Sequence, residues 1–596
     1  MIKIRYKLYK EINPHLSARQ QVLYNRGIPV EEQEHWLDAD WDDINDWRLL
    51  GEEKMRKAAA IIHEHCEIGS PPIGILVDED PDGASAGSLA YNFLYRVYGP
   101  QKSELIFHQK KVHGLKDMDL DSLAEKFSLL WIPDSSSNDY EELAYLHSKG
   151  TFCIVTDHHL APEESKDAIV INNQLCDYPN KDFCGAGITW QLCRCIEETC
   201  LNDSNFSISN NLIDLCACGN ISDMMDSRSL ETKAVSKLGI EYLNNKMLKN
   251  MASAHEYSID KMNGLNYLSW AFYITPFLNC CFRSGTQEEK EFVIKSLLDD
   301  HATIKVNSSK RGHKDEKVYM WEEAITIAER VKRRQTKAQD EAMALLETQI
   351  KENHLTDNAI ILCKCKDGEI EPSILGLAAN KIQAKYQHPT LVLREVEEDG
   401  VKYLKGSGRN YSNCEIEDMR SICEETGLVE YAQGHAGAFG VCLKEENEQS
   451  FIEATNKVYE GIEFVPTYWV DYIWNAQDHF YNHVFALGGL DIYGQNIQES
   501  LVCLENIPLD YTNVTLMGLA KGHPTLKITI NGVDIIKFHS SEEEYDEFTS
   551  PGTTITLIAK AALNEWNGNI SPQLLIEDFE LSEKIVDEDD FGEWVF

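Results

Sequence analysis

Residues 73–87 read IGILVDEDPDGASAG, an apolar run that breaks into four acidic residues, a proline and two glycines. IGILV has the length and β-branched content of a buried strand, and the residues after it have the composition of a turn. Read by itself, VDEDPDG is an acidic surface loop. The stretches around it change that reading. Between 51 and about 225 helical and strand patterns alternate: EEKMRKAAAIIHEHC, then IGILV, SAGSLAYNFLYRVY, FSLLWIP, EELAYLHSKG, TFCIVT and GITWQLCRCIEETC. Short apolar strands separated by helices predict a parallel sheet with helices on both faces, and such sheets gather ligands at the carboxyl ends of their strands.

The polar clusters fall at those ends. IGILV runs out into Asp78, Asp80 and Asp82, FSLLWIP into Asp134, and TFCIVT into Asp157, His158 and His159. A fourth apolar segment, LIDLCACGNISDMM, ends in Asp223, which is expected beside the others at a neighbouring strand end. Four clusters converging on one sheet edge are not expected of unrelated surface loops. Aspartates with one or two histidines, and no cysteine among them, suit hard to borderline cations such as Mn²⁺ or Mg²⁺. Enough ligands are present for two ions, a pair of which can activate water and stabilise an in-line phosphoryl displacement. Adjacent histidines at an acidic strand end are also poor core material.

Composition sets the limits. A chain of 596 residues that is 43% hydrophobic is long enough for three or four domains. No stretch approaches the roughly 18–20 apolar residues of a membrane span, and the basic start MIKIRYKLYK leads into no apolar signal core, so a cytoplasmic protein without membrane association is expected. The formal net charge of −42 opposes broad adhesion to nucleic acid but permits a local basic channel. The clusters at 305–317 and RVKRRQTK (330–337) read first as solvated faces, the second opening a long polar helix through about Ile350. Seventeen cysteines scattered over this length read as reduced, buried thiols, since the close pairs 193/195, 216/218 and 363/365 lack paired CxxC spacing.

DEDPDG (78–83), the Asp134 strand end, TDHHL (156–160) and GNISDMM (219–225) resemble the four ordered motifs of the DHH phosphoesterase superfamily. Downstream, ITPFLNCCFRSG (274–285), RVKRRQTKAQDEAM (330–343), EPSILGLAANKIQAKYQHPTLVL (371–393), KGSGRNYSN (405–413) and GHAGAFG (434–440) are similar to RecJ-type single-strand exonucleases. LKITING followed by VDIIKF reads as a hairpin with an Asn-Gly turn at 531 and 532. With ITLIAKAALNEWNGNISPQLLIEDFEL (555–581), it resembles their OB-type barrel.

The resemblance implies an α/β fold: a parallel-sheet DHH domain and a smaller α/β DHH-associated domain joined by a long helix, then a C-terminal OB-type β-barrel. Its expected divisions are an N-terminal helical arm over 1–50 anchored by Trp36, Trp41 and Trp47, a catalytic domain over 51–285, a linker and helix over 286–352, a nucleic-acid-binding domain over 353–462 and a barrel over 463–596. A further C-terminal domain of some relatives is expected to be absent. The implied metal ligands, for two Mn²⁺ or Mg²⁺ ions, are Asp78, Asp80, Asp82, Asp134, His158 and Asp223, with Asp134 as the bridge. His159 is implied beside the scissile phosphate, and Asp157 either in catalysis or as the carboxylate that orients a histidine. Ser407, Gly408, Arg409, Gly434 and His435 are implied in holding the strand, with Asn279, Arg283 and Lys381 as secondary candidates. Three departures from the family pattern are visible: PDSSSND where Asp-Asn-Gly or Asp-Cys-Gly is usual, Asn410 where serine is usual, and Gln433 in place of a glycine.

The implied activity is 5′→3′ digestion of single-stranded DNA to 5′-mononucleotides, in repair or recombination, by a monomer. A single-strand-binding protein or a helicase is a candidate partner. Two other readings share some of these motifs: a phosphodiesterase of nano-RNA or cyclic dinucleotides, which would not carry a barrel, and a catalytically silent DNA-binding scaffold, which would have lost metal ligands.

Overall fold

The computed structural model describes residues 4–67, 70–108, 113–116, 118–411, 416–465 and 467–583. They divide into two compact units, one of 31–335 with 491–498, the other of the described parts of 1–30, 336–490 and 499–596. Among them no helix is long and apolar enough to cross a membrane.

The first unit is built on a five-stranded sheet in the order Ser103–Phe107, Ile73–Val77, Leu129–Pro133, Phe152–Asp157, Ile169–Asn172, with every pairing parallel. Both faces are covered. Ile73, Ile75, Val77, Leu129, Trp131 and Ile154 enter one core with Ile62, Phe93 and Trp190, while Leu76, Leu130, Ile132, Cys153 and Val155 enter another with Leu143 and Leu146. This alternation is the period-two geometry of a strand buried on both sides. The strand order reverses between Ile73–Val77 and Leu129–Pro133, the topological switch point at which such sheets leave a crevice. The first and last strands of the sheet were not legible. SELIF is a half-buried edge strand and IVIN only four residues long, so neither gives a strong periodic signal.

The apolar segment before Asp223 is a helix, Ile213–Ser222, and Asp223 is its C-cap rather than a strand end. Nine of its ten residues are buried. A helix apolar on every side cannot be told from a buried strand by periodicity.

In the second unit a mixed five-stranded sheet runs Val429–His435, Ala438–Lys444, Val401–Arg409, Thr390–Glu398, Ile361–Lys366. A seven-stranded sheet follows, with the hairpin Thr525–Ile530/Val533–Phe538 at one side. Its Asn531 and Gly532 have φ of 51° and 81°, the left-handed pair of a type I′ turn, so this local signal read correctly. The start of the chain departs from the helical expectation: Arg5–Leu8 is a strand, parallel to Thr467–Val470. Of the three N-terminal tryptophans, in the first unit, Trp36 and Trp47 are buried, their indole N–H groups donating to Ser227 O and Glu198 Oε2, and Trp41 packs on Tyr242. The described cysteines are free, and the close pairs 193/195, 216/218 and 363/365 are all buried.

Where the second unit's strand pair is anchored, the Arg26 guanidinium reaches the Asp471 carboxylate with two hydrogen bonds of 2.8 and 3.0 Å, and both side chains are almost wholly buried. Removing the cation strands a buried carboxylate. Arg26→Ala should lower amide protection in Arg5–Leu8 and Thr467–Val470 by about 3–5 kcal/mol, read by hydrogen exchange. An Arg26→Met/Asp471→Leu double variant should recover most of that loss.

Candidate metal centre

The chain turn after Ile73–Val77 sets the first three carboxylates. Asp80 is the N-cap of the helix Pro81–Tyr98, its Oδ1 accepting the Gly83 N–H at 2.9 Å, and Pro81 suits the first helical position. Asp82 lies within the first turn of that helix, and its two oxygens accept the N–H groups of Gly185 (2.7 Å) and Ala186 (3.1 Å) at the start of the helix Gly185–Cys200. A helix N-terminus is a ready partner for an anion. Gly83 is expected to let the chain turn, but its backbone is ordinary helix and what it supplies is room. A Cβ there would lie 2.5 Å from Asp78 Cβ, one at Gly185 2.2 Å from Asp134 Oδ1, and one at Gly219 2.1 Å from Asp82 Oδ1. Three glycines press backbone against three carboxylates.

Asp134 follows Leu129–Pro133 with φ of 62°, and Ser136 has φ of 75°. The left-handed backbone explains why a glycine is usual at 136 in the family pattern. Here Ser136 holds it, and its Oγ accepts the Leu115 N–H at 3.1 Å.

These turns bring six predicted ligands together. Asp78, Asp80 and Asp134 present oxygens within 4.8 Å of one another, and so do Asp82, His158 and Asp223 with their ligand atoms. His158 Nε2 lies 3.4 Å from Asp134 Oδ1, 3.5 Å from Asp223 Oδ2 and 3.8 Å from Asp82 Oδ2, joining the two groups. Asp134 Oδ1 is buried and has no hydrogen-bond partner. An orphaned carboxylate oxygen among acidic neighbours fits a divalent cation, as does the all-oxygen and imidazole donor set.

The electrostatics agree. Burial, then the neighbouring carboxylates, pushes Asp80 up to about 6 and Asp223 to about 8, and holds Asp134 well above the usual carboxylate range. Burial also holds the His158 imidazole below its ordinary value, against the pull of Asp82, which favours the neutral form a metal site would need.

Asp157 is engaged differently. Its Oδ1 accepts the N–H groups of His158 (2.7 Å) and His159 (3.1 Å) and meets His159 Nδ1 at 2.8 Å, while Oδ2 accepts from Ser137 N–H at 3.0 Å. Burial would raise this carboxyl, but these partners hold it below the usual range. Burial would likewise lower His159, yet the bond to Asp157 lifts it to about 9. Asp157 therefore orients the His159 ring and favours its protonated form, and meets His158 only through the backbone N–H.

One residue escaped the sequence reading. His113 Nδ1 lies 3.0 Å from Asp78 Oδ2, and its ring meets the edge of His159 at 4.7 Å between centroids. It comes a few residues past Ser103–Phe107, the unassigned strand of the same sheet, whose recognition would have flagged it. Asn279 and Arg283, on the helix Thr275–Ser284, line a cavity with Asp78, Asp80 and His113.

The remaining predicted residues lie in the second unit. GSGR is the end of the strand Val401–Arg409, and the register sets Arg409 opposite Ala438, which pairs on its other side with His435. Arg409 and His435 thus flank one position at one sheet end. A Cβ at Gly376, on the helix Pro372–Tyr386, would lie 2.7 Å from Arg409 Nη2 and 3.4 Å from Ser407 Oγ. Gly408 packs on Phe439, and Gly434 has φ of 130°. Lys381, on the same helix as Gly376, is exposed and lies 3.5 Å from Asp340. Asn410 Nδ2 donates to Ile416 O and Glu417 O, and Gln433 is exposed. The last two residues of KGSGRNYSN lie outside the described residues.

Residues 72–220 match the N-terminal domain of the DHH family, and 470–578 match the RecJ OB domain. A protein of Bacillus subtilis strain 168 named as an SPbeta prophage-derived single-strand DNA-specific exonuclease, YorK, is 28% identical over 584 residues, 97% of this chain and 98% of that one. The single-stranded-DNA-specific exonuclease RecJ of the same organism is 25% identical over 582 residues, 94% of this chain and 68% of that one. The crystal structure of RecJ in complex with Mn²⁺ from Thermus thermophilus shares the fold, with a TM-score of 0.70 at 19% identity over 97% of this chain and 80% of that one.

A carboxyl group held above its unfolded value stabilises the fold while protonated. That contribution is complete below about pH 4 and is lost as pH rises through about 6 for Asp80 and about 8 for Asp223. In EDTA the melting temperature should fall as pH climbs from about 4 to about 8, and between about 4 and about 6 more steeply than in Asp80→Asn, which lacks one titrating group. Parallel curves for the two proteins would contradict the crowded-carboxylate picture.

Proposed function

We propose that this chain, a member of the DHH family carrying a RecJ OB domain, is a metal-dependent phosphodiesterase that digests single-stranded DNA from its 5′ end to 5′-mononucleotides. The observation that carries the reading is the convergence of Asp78, Asp80, Asp82, Asp134, His158 and Asp223 on the sheet's switch point, with a buried carboxylate oxygen left unpartnered. Relatives alike over nearly the whole chain are named for single-strand exonuclease activity, which supports the substrate.

Those six residues would hold two Mn²⁺ or Mg²⁺ ions, which when bound supply Lewis-acid stabilisation to a phosphoryl displacement. His159, kept protonated by Asp157, donates a hydrogen bond to a phosphate oxygen and can return its proton to the leaving group. Arg283 and Asn279, in the cavity beside Asp78 and Asp80, supply donors for the neighbouring phosphate. In this reading 51–285 is the catalytic domain and 353–462 grips the backbone through Ser407, Gly408, Arg409, Gly434 and His435, with Lys381 adding charge. The 463–596 domain guides the strand by stacking and charge. A single-strand-binding protein or a helicase is a fitting partner.

Single strands labelled at either end, incubated with Mn²⁺, test this. The 5′ label should leave first, as a mononucleotide, and Asp80→Ala should abolish release while the melting curve stays cooperative. Release from neither end would favour a binding scaffold, and cleavage confined to dinucleotides would favour the short-substrate phosphodiesterase. Asp157→Asn, which weakens the His159 orientation, should lower kcat by about 10–100-fold with little change in KM.

A further inference from the structure

Apart from the metal centre, the first unit has a partly open cavity of about 220 Å³. One wall is a face of the helix Leu230–Glu241, which presents Lys233, Ser236 and Lys237 at the i, i+3, i+4 spacing of neighbours. Tyr267, Asp491 and Tyr493 contribute to the rest. The volume lies below the roughly 300–1,000 Å³ of sites for drug-sized ligands, so an occupant is small.

The two lysines are held unequally. Lys237 Nζ donates to the carbonyls of Leu37 (3.3 Å) and Ala39 (3.1 Å). The Lys233 ammonium lies on the Trp36 ring, 4.4 Å from its centroid, and among the described residues it has neither a hydrogen-bond nor an ion-pair partner. Burial pulls this lysine down to about 8, with Lys237 adding to the effect and Asp491 opposing it. Ser236, only 3% exposed, has a hydroxyl oxygen with no partner. Two cations sharing a sheltered cavity repel one another, and the single Asp491 carboxylate neutralises only one of them.

We propose that this cavity binds a phosphate group between Lys233 and Lys237, with the Ser236 hydroxyl donating to it. A tetrahedral oxyanion offers acceptors in several directions at once, whereas a carboxylate offers two in one plane. Lysines act here as point charges, a role that suits phosphate. The donor set fits both inorganic phosphate and a compact phosphomonoester. This site shares no residue with the metal centre and stands apart from the catalytic reading.

Calorimetric titration of the full-length chain in EDTA, at constant ionic strength, tests it with inorganic phosphate and, separately, a deoxynucleoside 5′-monophosphate. EDTA keeps cations from recruiting phosphate to the metal centre. One equivalent of phosphate should bind to wild type and to Asp134→Asn alike, and at least tenfold more weakly to Lys233→Met, whose melting curve checks its fold. Monophosphate competing with phosphate would assign a phosphomonoester, and binding of phosphate alone would assign the free ion. Should Lys233→Met not fold, weakened binding in Lys237→Gln and Ser236→Ala carries the same meaning. No saturable binding to wild type, or equal affinity in the folded variants, would overturn the proposal.

Discussion

Mutual repulsion among carboxylates is the constraint on which the first unit is arranged. Asp78, Asp80, Asp82, Asp134 and Asp223 crowd one end of a parallel sheet, several of them out of water. In a medium of low polarity such a cluster is costly unless protons, backbone donors or cations offset it. Backbone donors are supplied selectively. Asp82 takes two N–H groups from a helix start and Asp80 one from its own helix, whereas Asp134 keeps an oxygen with nothing to bind. The carboxylates left short of donors are those best placed to take cations. The glycines at 83, 185 and 219 serve the same end, since any side chain there would push the carboxylates apart.

The histidines complete the division of labour. His158 faces the acidic cluster, where burial favours its neutral form, while its neighbour His159 turns to Asp157, which favours its charged form. Two adjacent residues of one type are thus pushed toward opposite protonation states, one by a buried carboxylate and the other by burial. His113, against Asp78 on one side and His159 on the other, links the two halves of the centre.

Much of this was legible in the sequence because strand ends and acidic turns coincide in it. IGILV, FSLLWIP and TFCIVT each lead directly into acidic or histidine residues, and the sheet does place those ends side by side. The Asn-Gly hairpin was equally local in its signal. What escaped depends on tertiary context. SELIF and IVIN are too short or too half-buried to announce strands, and His113 went unnoticed with them. LIDLCACGNIS is mostly apolar with no one-sided stripe and is buried nearly all round, so its helix, and the placing of Asp223 at a helix end, could not be separated from a strand. The strand Arg5–Leu8 forms against residues more than 450 positions away, which no local pattern records. The strand under GSGR had no local signal, and Gly406 is there because a Cβ would lie 2.0 Å from Val392 O across the sheet.

The most direct test of the carboxylate cluster as a two-cation centre is anomalous diffraction from crystals of the chain grown with Mn²⁺. The expected result is two peaks about 3.5–4 Å apart, one among Asp78, Asp80 and Asp134 and the other among Asp82, His158 and Asp223, with Asp134 between them. A map with no peak at the switch point, or with manganese bound only elsewhere, would contradict it.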